Sequence, residues 1–345
     1  MNVLHKQSVI LAILISLLFF ALCISLAVGQ VDIPLSSLFH TFLLQAGFSS
    51  GEGQEMTAEQ AAVFYHIRLP RMIIGVLVGA ALAVSGAVMQ GVFGNPLADP
   101  GIIGVSGGAA LGAVLSIALG LSTISLYIMP VFALLGALIA VMITVLLSMR
   151  NGKIPVMILL LAGVAVSILF GALTSGILTF MNEYKLKEFL FWTVGGLDYR
   201  RWEHIGLALG PILIGIIILF FMARHLNILV LGEEEAKSVG VPVVFLRMIL
   251  LFVATLTTAF AVCVSGNIGF VGLVVPHIMR LMLGTEHRIL LPACALAGAL
   301  FLVGCDTLGR ILIPPSEIRV GIMTALVGAP YFLYLLRRAH RKGGL

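Results

Sequence analysis

The chain has 345 residues, of which 60% are hydrophobic and only 10% are charged. Soluble domains carry roughly 45–50% apolar and about 25% charged residues, so this composition excludes a water-soluble globular enzyme. It also excludes a disordered chain, because disorder requires low hydrophobicity and high net charge. The formal net charge of +5 is small and lies largely at one end of the chain, which indicates membrane topology rather than nucleic-acid binding.

Long apolar stretches recur along the whole sequence, and each can supply a membrane-spanning helix of about 20 residues. Inside a bilayer every backbone polar group must be satisfied internally, which only helices and closed barrels achieve. The stretches lack the alternating pattern of barrel strands, so helices are favoured. We predict an all-α polytopic membrane protein, a single transmembrane domain over residues 1–345. About ten spans are predicted, at 8–29, 71–92, 101–120, 126–148, 155–178, 204–223, 243–265, 268–284, 289–306 and 319–337.

The placement of Lys and Arg predicts the orientation, because cytoplasmic loops are enriched in these residues. No Lys or Arg lies between Lys6 and Arg68, and the intervening loop, about 30–67, is acidic and therefore predicted to be external. The loop 149–153 and the tail from Arg337 are basic. Ten spans then place both termini in the cytoplasm.

The first span has a second interpretation, as a cleaved signal peptide. It ends in the small residues Ala27-Val28-Gly29, which suit a cleavage site. Its apolar run from Ser8 to Gly29 is longer than a typical signal-peptide core, so we predict a retained helix.

Glycines recur four residues apart within two predicted spans, at Gly75 and Gly79 and at Gly104, Gly108 and Gly112. Such spacing predicts that these helices pack closely against their neighbours. The alternative is that the close contacts let helices slide along a transport pathway.

A short tripeptide recurs and gives weak evidence of an internal repeat. Val-Ser-Gly occurs at Val84-Ser85-Gly86 and again at Val264-Ser265-Gly266, and each copy is predicted to end a helix. Their offset of five spans suggests an inverted repeat of spans 2–5 and 7–10, a recurring transporter architecture.

Motifs for nucleotide binding, metal binding and hydrolysis are absent from the sequence. Gly152-Lys153 is followed by Ile154 and lacks an upstream glycine, so it is no phosphate-binding loop. The four cysteines are widely spaced and form no CxxC pair, which favours a packing role. The span interiors are almost free of charge, whereas ion-coupled carriers keep ionisable groups there. An ion-coupled secondary transporter and an intramembrane enzyme are therefore disfavoured alternatives, and we predict no catalytic, cofactor or metal site.

The segment from Leu231 to Pro242, within a predicted cytoplasmic loop of about 224–242, has the signals of a short separate helix. Glu233, Glu234 and Glu235 would lie in its first turn, where the helix dipole favours acidic residues. Gly240 and Pro242 are stop signals. The helix is either a linker or a contact for a partner protein.

Basic residues flank two predicted external segments: Arg68 and Arg71 before the second span, and Arg310 with Glu317 and Arg319 in the last loop. One interpretation is anchoring at the membrane interface by long side chains. The other is a set of exposed guanidinium groups that bind carboxylates of an external protein. A further loop, about 179–203, carries both acidic and basic residues, includes Trp192 and Trp202, and is expected to hold a short helix.

Several of these motifs occur together and in order: Arg68-Leu-Pro-Arg71, Gly79–Gly86, Met89-Gln90-Gly91, Asn95–Gly101, Gly104–Gly108, Leu231-Gly232, Gly240-Val-Pro242, Gly269–His277 and Gly321–Pro330. Together they resemble the FecCD family of permeases. These proteins are membrane subunits of type II ABC importers for iron–siderophore complexes, haem and vitamin B12. The resemblance covers essentially the whole chain.

The resemblance implies a homodimer of ten-helix subunits in a bacterial inner membrane, with the pathway on the dimer axis. It implies two cytoplasmic ATPase subunits and one periplasmic or lipid-anchored substrate-binding protein. ATP and magnesium would be bound by the ATPase, so we expect no cofactor in this chain and no nucleic-acid partner. The expected cargo is a bulky metal chelate, an iron–siderophore complex or haem, with vitamin B12 as the alternative.

The resemblance also implies residue roles. ATPase coupling is expected from Leu231, Gly232, Glu233, Glu234, Glu235, Ala236, Lys237, Ser238, Val239 and Gly240. Arg68, Arg71 and Arg310 match external arginines that meet glutamates of the binding protein. The cytoplasmic gate is expected at Ile154, Pro155, Val156 and Met157. The vitamin B12 permease has small hydroxyl residues in this region, so Val156 and Met157 mildly weaken a cobalamin assignment.

Overall fold

The computed structural model describes residues 3–34, 36–37, 40–41, 56–149 and 155–341, and no strand occurs in these ranges. The main helices are α1 (Val3–Ala27), α2 (Ala58–Val63), α3 (Leu69–Phe93), α4 (Val105–Ala118), α5 (Ile128–Ser148), α6 (Val156–Thr179), α7 (Glu183–Val194), α8 (Trp202–Phe221), α9 (Ala223–Val230), α10 (Glu233–Ser238), α11 (Val243–Ser265), α12 (Val271–Leu283), α13 (His287–Ile311) and α14 (Val320–Arg341). The all-α prediction is confirmed.

The described helices account for every predicted span. Seven helical segments are long and apolar enough to cross a membrane: α1, the continuous run Ala58–Phe93 that contains α2 and α3, α5, α6, α8, α11 and α13. Three shorter apolar helices, α4, α12 and the first part of α14, occupy the remaining predicted spans. The prediction of a polytopic protein with about ten transmembrane helices is therefore confirmed.

The predicted external loop 30–67 is not a loop throughout, because its last part is helical from Ala58. Thr57 and Gln60 begin α2 with a reciprocal capping box, in which each side chain accepts a hydrogen bond from the other's backbone N–H. A π-helical turn, Phe64–Arg68, then joins α2 to α3. Residues 35, 38–39 and 42–55 of this predicted loop lie outside the described residues.

Two other predicted loops also contain helices. The segment 224–242 holds most of α9 and all of α10, so only its short connections are loops. The loop 179–203 contains α7, which confirms the short helix expected there. Asn182 begins α7 because its side chain accepts a hydrogen bond from the Lys185 N–H.

Helices α3 and α13 pack against each other in antiparallel directions. Arg71 near the start of α3 binds Asp306 near the end of α13, whereas Gly91 near the end of α3 lies beside His287 at the start of α13. Between these points a Cβ atom on Gly79 would lie only 2.3 Å from the Gly298 carbonyl oxygen. The glycine spacing therefore serves close helix packing, as the first interpretation predicts.

The short spans α4 and α12 begin inside the bundle. Gly272, at the start of α12, lies against Gly86 well within the length of α3. Gly107, at the start of α4, faces Ser167 midway along α6. The two helix starts are close together, because Ser106 Oγ donates to Asn267 Oδ1 at 3.1 Å. With 14 and 13 residues, α4 and α12 are each about 20 Å long and reach the bundle interior from opposite ends.

The inverted-repeat hypothesis is based on a repeated Val-Ser-Gly tripeptide, and the first copy of this tripeptide does not end a helix as predicted. Ser85 and Gly86 lie inside α3, whereas Ser265 ends α11, so the two tripeptides are not equivalent helix ends. The order of helix lengths does recur: long, short, long, long in both α3–α6 and α11–α14. Both short helices also follow a residue with positive φ, Gly104 at 96° and Phe270 at 69°. The repeat stays a hypothesis, now based on helix architecture.

We predict that Gly79→Ala lowers the free energy of unfolding by about 1–3 kcal/mol, because the new methyl group overlaps the backbone of α13. The matched control is Gly206→Ala in α8, where no heavy atom lies within 4 Å of the added carbon. Alanine is favoured over glycine in helices, so the control should be neutral or slightly stabilising. Thermal unfolding in detergent micelles measures both, and equal midpoints would contradict the packing argument.

Candidate functional site

The predicted coupling segment forms the separate helix α10, with the bounds that its sequence signals indicate. Glu233, Glu234 and Glu235 occupy the first turn. The chain turns after the helix at Gly240, whose φ of 79° favours glycine. The prediction of a short separate helix in this segment is therefore confirmed.

Helix α10 is attached to α11 on one side and bare on the other. Ala236 is fully buried, and Glu233 binds Lys237 at 2.7 Å and Arg247 of α11 at 3.8 Å. Leu231 and Val239, at the two ends of the helix, expose 69% and 68% of their surface. Two large apolar side chains that bracket an acidic turn form a surface suited to a protein partner.

The expected gate region is described only in part. Ile154 lies outside the described residues, and Pro155 is the residue from which α6 begins. Met157 exposes 68% of its surface, and Val156 is half-buried. Nothing in this geometry tests a gating role, which stays a prediction.

The three predicted docking arginines are buried, so the exposed guanidinium groups expected from the sequence are absent from this conformation. Arg68, Arg71 and Arg310 expose only 5%, 7% and 7% of their surface. Arg71 binds both carboxylate oxygens of Asp306, at 2.8 to 3.1 Å, and Glu317 at 2.7 Å. A docking role stays a prediction, but these side chains bind groups of their own chain.

The other two arginines bind the end of α1. Arg68 donates to the carbonyl oxygens of Leu26 and Ala27 at 2.6 and 2.7 Å, and also to Val31. Arg310 donates to the backbone and hydroxyl oxygens of Ser25, at 3.0 and 2.8 Å. Carbonyl groups at a helix C-terminus have no partner within the helix, so guanidinium donors there stabilise both groups. The arginines thereby tie α1, α3 and α13 together.

A second ionic cluster, at the same end of the bundle, joins α7 to the start of α14. Arg319 binds Asp198 at 2.9 Å, donates to the Phe191 carbonyl oxygen and lies 4.4 Å from the centre of the Phe191 ring. Burial is the main factor that lowers the pKa of nearby Arg200 to about 10, while Asp198 raises it. Arg200 therefore keeps its charge at neutral pH.

Sequence reasoning misses the partners that satisfy these cations. Asp306 is more than 200 residues from Arg71, and the sequence alone assigns it no role. The sequence does contain a signal for this contact: Asp306 is a carboxylate inside an apolar span, and such a carboxylate requires a cationic partner. The contact of Asn227 with Glu286 and His287 gives no such signal, since it depends on how α9 folds back on the bundle.

Metal ligation has no support among the described residues. In those ranges no three His, Cys, Asp or Glu side chains lie close enough together to hold a metal ion.

An apolar cavity of about 90 Å³ lies between α5, α6 and α11, and Thr255 is its polar lining residue. Pockets for drug-sized ligands are roughly 300–1,000 Å³, so this cavity is too small for a metal chelate.

We expect Asp306→Ala to lower the free energy of unfolding by about 3 kcal/mol, because it leaves a buried guanidinium group short of its main partner. Lys187→Ala is the control, since it breaks a Glu183–Lys187 pair whose side chains are 80% and 64% exposed. Exposed pairs contribute about 0–1 kcal/mol. If both variants shift the thermal midpoint in detergent equally, the structural role of Asp306 is excluded.

The FecCD transport family matches residues 17–338 of this chain. The cobalamin import system permease protein BtuC of Halobacterium salinarum is 48% identical over 271 residues, which cover 79% of this chain and 72% of that protein. The hemin transport system permease protein HmuU of Yersinia pestis is 45% identical over 287 residues, 82% of this chain and 85% of that protein.

A solved structure is similar along the whole fold. It is described as an inward-facing conformation of an ABC transporter provisionally assigned to the metal-chelate type. The TM-score is 0.83 at 35% identity, with 95% of this chain and 99% of the other covered. The resemblance inferred from the sequence motifs is confirmed, as is the prediction of a transport subunit rather than an enzyme. The chain belongs to the FecCD transport family and is a membrane-spanning permease subunit of an ABC importer.

Proposed function

We propose that this chain forms the pathway through which an ATP-driven importer takes up a bulky metal chelate, either an iron–siderophore complex or haem. Similarity to the hemin permease and to the metal-chelate type transporter supports this cargo class. Vitamin B12 is the alternative, because the Halobacterium salinarum relative is named for cobalamin. The structural observation that carries the proposal is α10, a short helix with one attached side and one bare side.

The bare side of α10 is the proposed contact for the ATPase. Leu231 and Val239 offer apolar surface, and the acidic first turn offers charge to basic groups of the partner. ATP and magnesium would be bound by that partner, and we expect no cofactor in this chain. Basic loops and the basic tail support a cytoplasmic location of α10 and of both termini in a bacterial inner membrane.

The proposed assembly is a homodimer with two ATPase subunits and one external binding protein. The homodimer is inferred from membership of the FecCD transport family. The binding protein would dock at the end that carries α7. There Arg68, Arg71 and Arg310 would shape the docking surface by holding α1, α3 and α13 in place.

The proposed mechanism is alternating access driven from α10. Closure of the ATPase subunits would displace α10, and its contacts through Ala236 and Glu233 would carry the movement to α11. Val156 and Met157, at the start of α6, would then open or close the cytoplasmic exit. An apolar pathway would bind the cargo weakly, so selectivity would reside in the external binding protein.

The function is tested by reconstituting the permease with its ATPase and binding protein in proteoliposomes. We expect inward accumulation of the chelate only when ATP is hydrolysed. The absorption spectrum of the purified binding protein distinguishes haem, an iron–siderophore complex and cobalamin. Uptake that continues unchanged without hydrolysis would refute the proposal.

For α10 itself, we predict that Ala236→Pro separates ATP hydrolysis from uptake. Proline removes the Ala236 N–H bond to the Gly232 carbonyl oxygen and costs about 3 kcal/mol or more in a helix interior. Ala236→Gly is the matched control, because glycine keeps this N–H and costs only about 1 kcal/mol relative to alanine in a helix. Uptake per ATP should fall about tenfold or more in Ala236→Pro and much less in Ala236→Gly. Glu234→Pro should also lower uptake per ATP, because it removes a charge from the acidic turn proposed to contact the ATPase. Equal uptake per ATP in Ala236→Pro and Ala236→Gly would exclude α10 as the coupling helix.

A further inference from the structure

Asn227 lies on α9, the helix immediately before α10, and its side chain binds the turn between α12 and α13. Its Nδ2 donates to Glu286 Oε1 at 2.5 Å. Its Oδ1 accepts from the backbone N–H of His287 at 2.9 Å and lies 2.7 Å from His287 Nδ1. Since a carbonyl oxygen only accepts, His287 Nδ1 carries the proton in this arrangement. One amide group thus binds two consecutive residues of the turn.

The surroundings of this contact leave little room for independent movement. Leu226, the neighbour of Asn227, is fully buried. A Cβ atom on Gly91 of α3 would lie 3.0 Å from Leu226 Cδ1 and 3.1 Å from His287 Nε2. Glu286 also begins α13 by accepting a hydrogen bond from the Arg288 N–H. Helices α9, α3 and α13 therefore meet at one tightly packed point.

The turn held by Asn227 is also the end of α12. Leu283 closes α12 three residues before Glu286. The opposite end of α12 begins at Val271, next to Gly86 of α3 and to the hydrogen bond between Ser106 and Asn267. A helix of 13 residues is a rod about 20 Å long. Displacement of the turn would therefore reach the place where α4 begins.

We propose that Asn227 is a positioning residue for transport, which makes α9 and α10 move together with the α12–α13 turn. Displacement of α10 by the ATPase is then transmitted through α12 to the start of α4 inside the bundle. This inference rests on the proposed function, in which α10 contacts the ATPase. It adds a second route to the one through α11, and it assigns that route to a single amide side chain.

The first test compares Asn227→Ala with wild type in the complete reconstituted importer. We expect ATP hydrolysis within about twofold of wild type and uptake per ATP lowered about tenfold or more. The ATPase subunits can still hydrolyse ATP when their movement is no longer transmitted to the permease. Asn182→Ala is the matched control, because Asn182 also accepts a hydrogen bond through its amide but begins α7 at the opposite end. The control should keep wild-type uptake per ATP.

The second test exchanges donor and acceptor. Asn227→Asp loses the donor to Glu286 and places two carboxylates side by side, so uptake per ATP should fall. Adding Glu286→Gln restores a donor on the other side of the contact, and the double variant should recover most of the loss. Thermal midpoints are measured in parallel, because a merely structural role would make uptake per ATP follow stability.

The outcomes separate this inference from the proposed function. Wild-type uptake per ATP in Asn227→Ala, or no recovery in the double variant, overturns the role of Asn227. A wild-type importer that shows no ATP-dependent uptake overturns the proposed function instead. Should Asn227→Ala fail to insert into the membrane, the comparison of Asn227→Asp with the double variant decides the question.

Discussion

The antiparallel contact between α3 and α13 is the constraint on which the rest of the structure depends. At its centre the two backbones touch, because Gly79 and Gly298 have no side chains to separate them. At one end it positions Arg71 against Asp306, and at the other it positions Gly91 against His287 and Leu226. The ionic cluster that holds α1 and the contact of α9 with α3 and α13 therefore lie at the two ends of one helix pair.

The contacts of the buried arginines at the ends of the described spans follow from the free-energy cost of burying ions in a bilayer. Arg71 and Arg310 are both close to Asp306, and Arg68 and Arg310 also bind carbonyl oxygens of α1. Each buried cation thus has an internal partner, as a low-dielectric environment requires. This arrangement explains how an arginine can lie at the end of a span with its guanidinium group buried.

The sequence predicts features that depend on local composition and fails where distant segments meet. Hydropathy places all ten spans, and the acidic run with Gly240 places α10, because both signals act within a few residues. The partners of Arg71 lie more than 200 residues away, and Asn227 meets Glu286 only after α9 folds back. The pattern Ser85-Gly86 predicts a helix end because glycine often ends helices, but tertiary packing against Gly272 keeps this glycine inside α3.

The irregular backbone before α4 and α12 has a consequence for how the subunit can move. Asp99 Oδ1 accepts the Gly101 N–H at 2.8 Å, and Ser106 binds Asn267, so polar groups of these segments are satisfied by protein atoms. Acyl chains offer no hydrogen bonds, so non-helical backbone at this depth must stay shielded from lipid in every state of the cycle. Conformational change in this region must therefore leave the helix starts either covered by protein or facing an aqueous cavity, with no stage at which lipid reaches them.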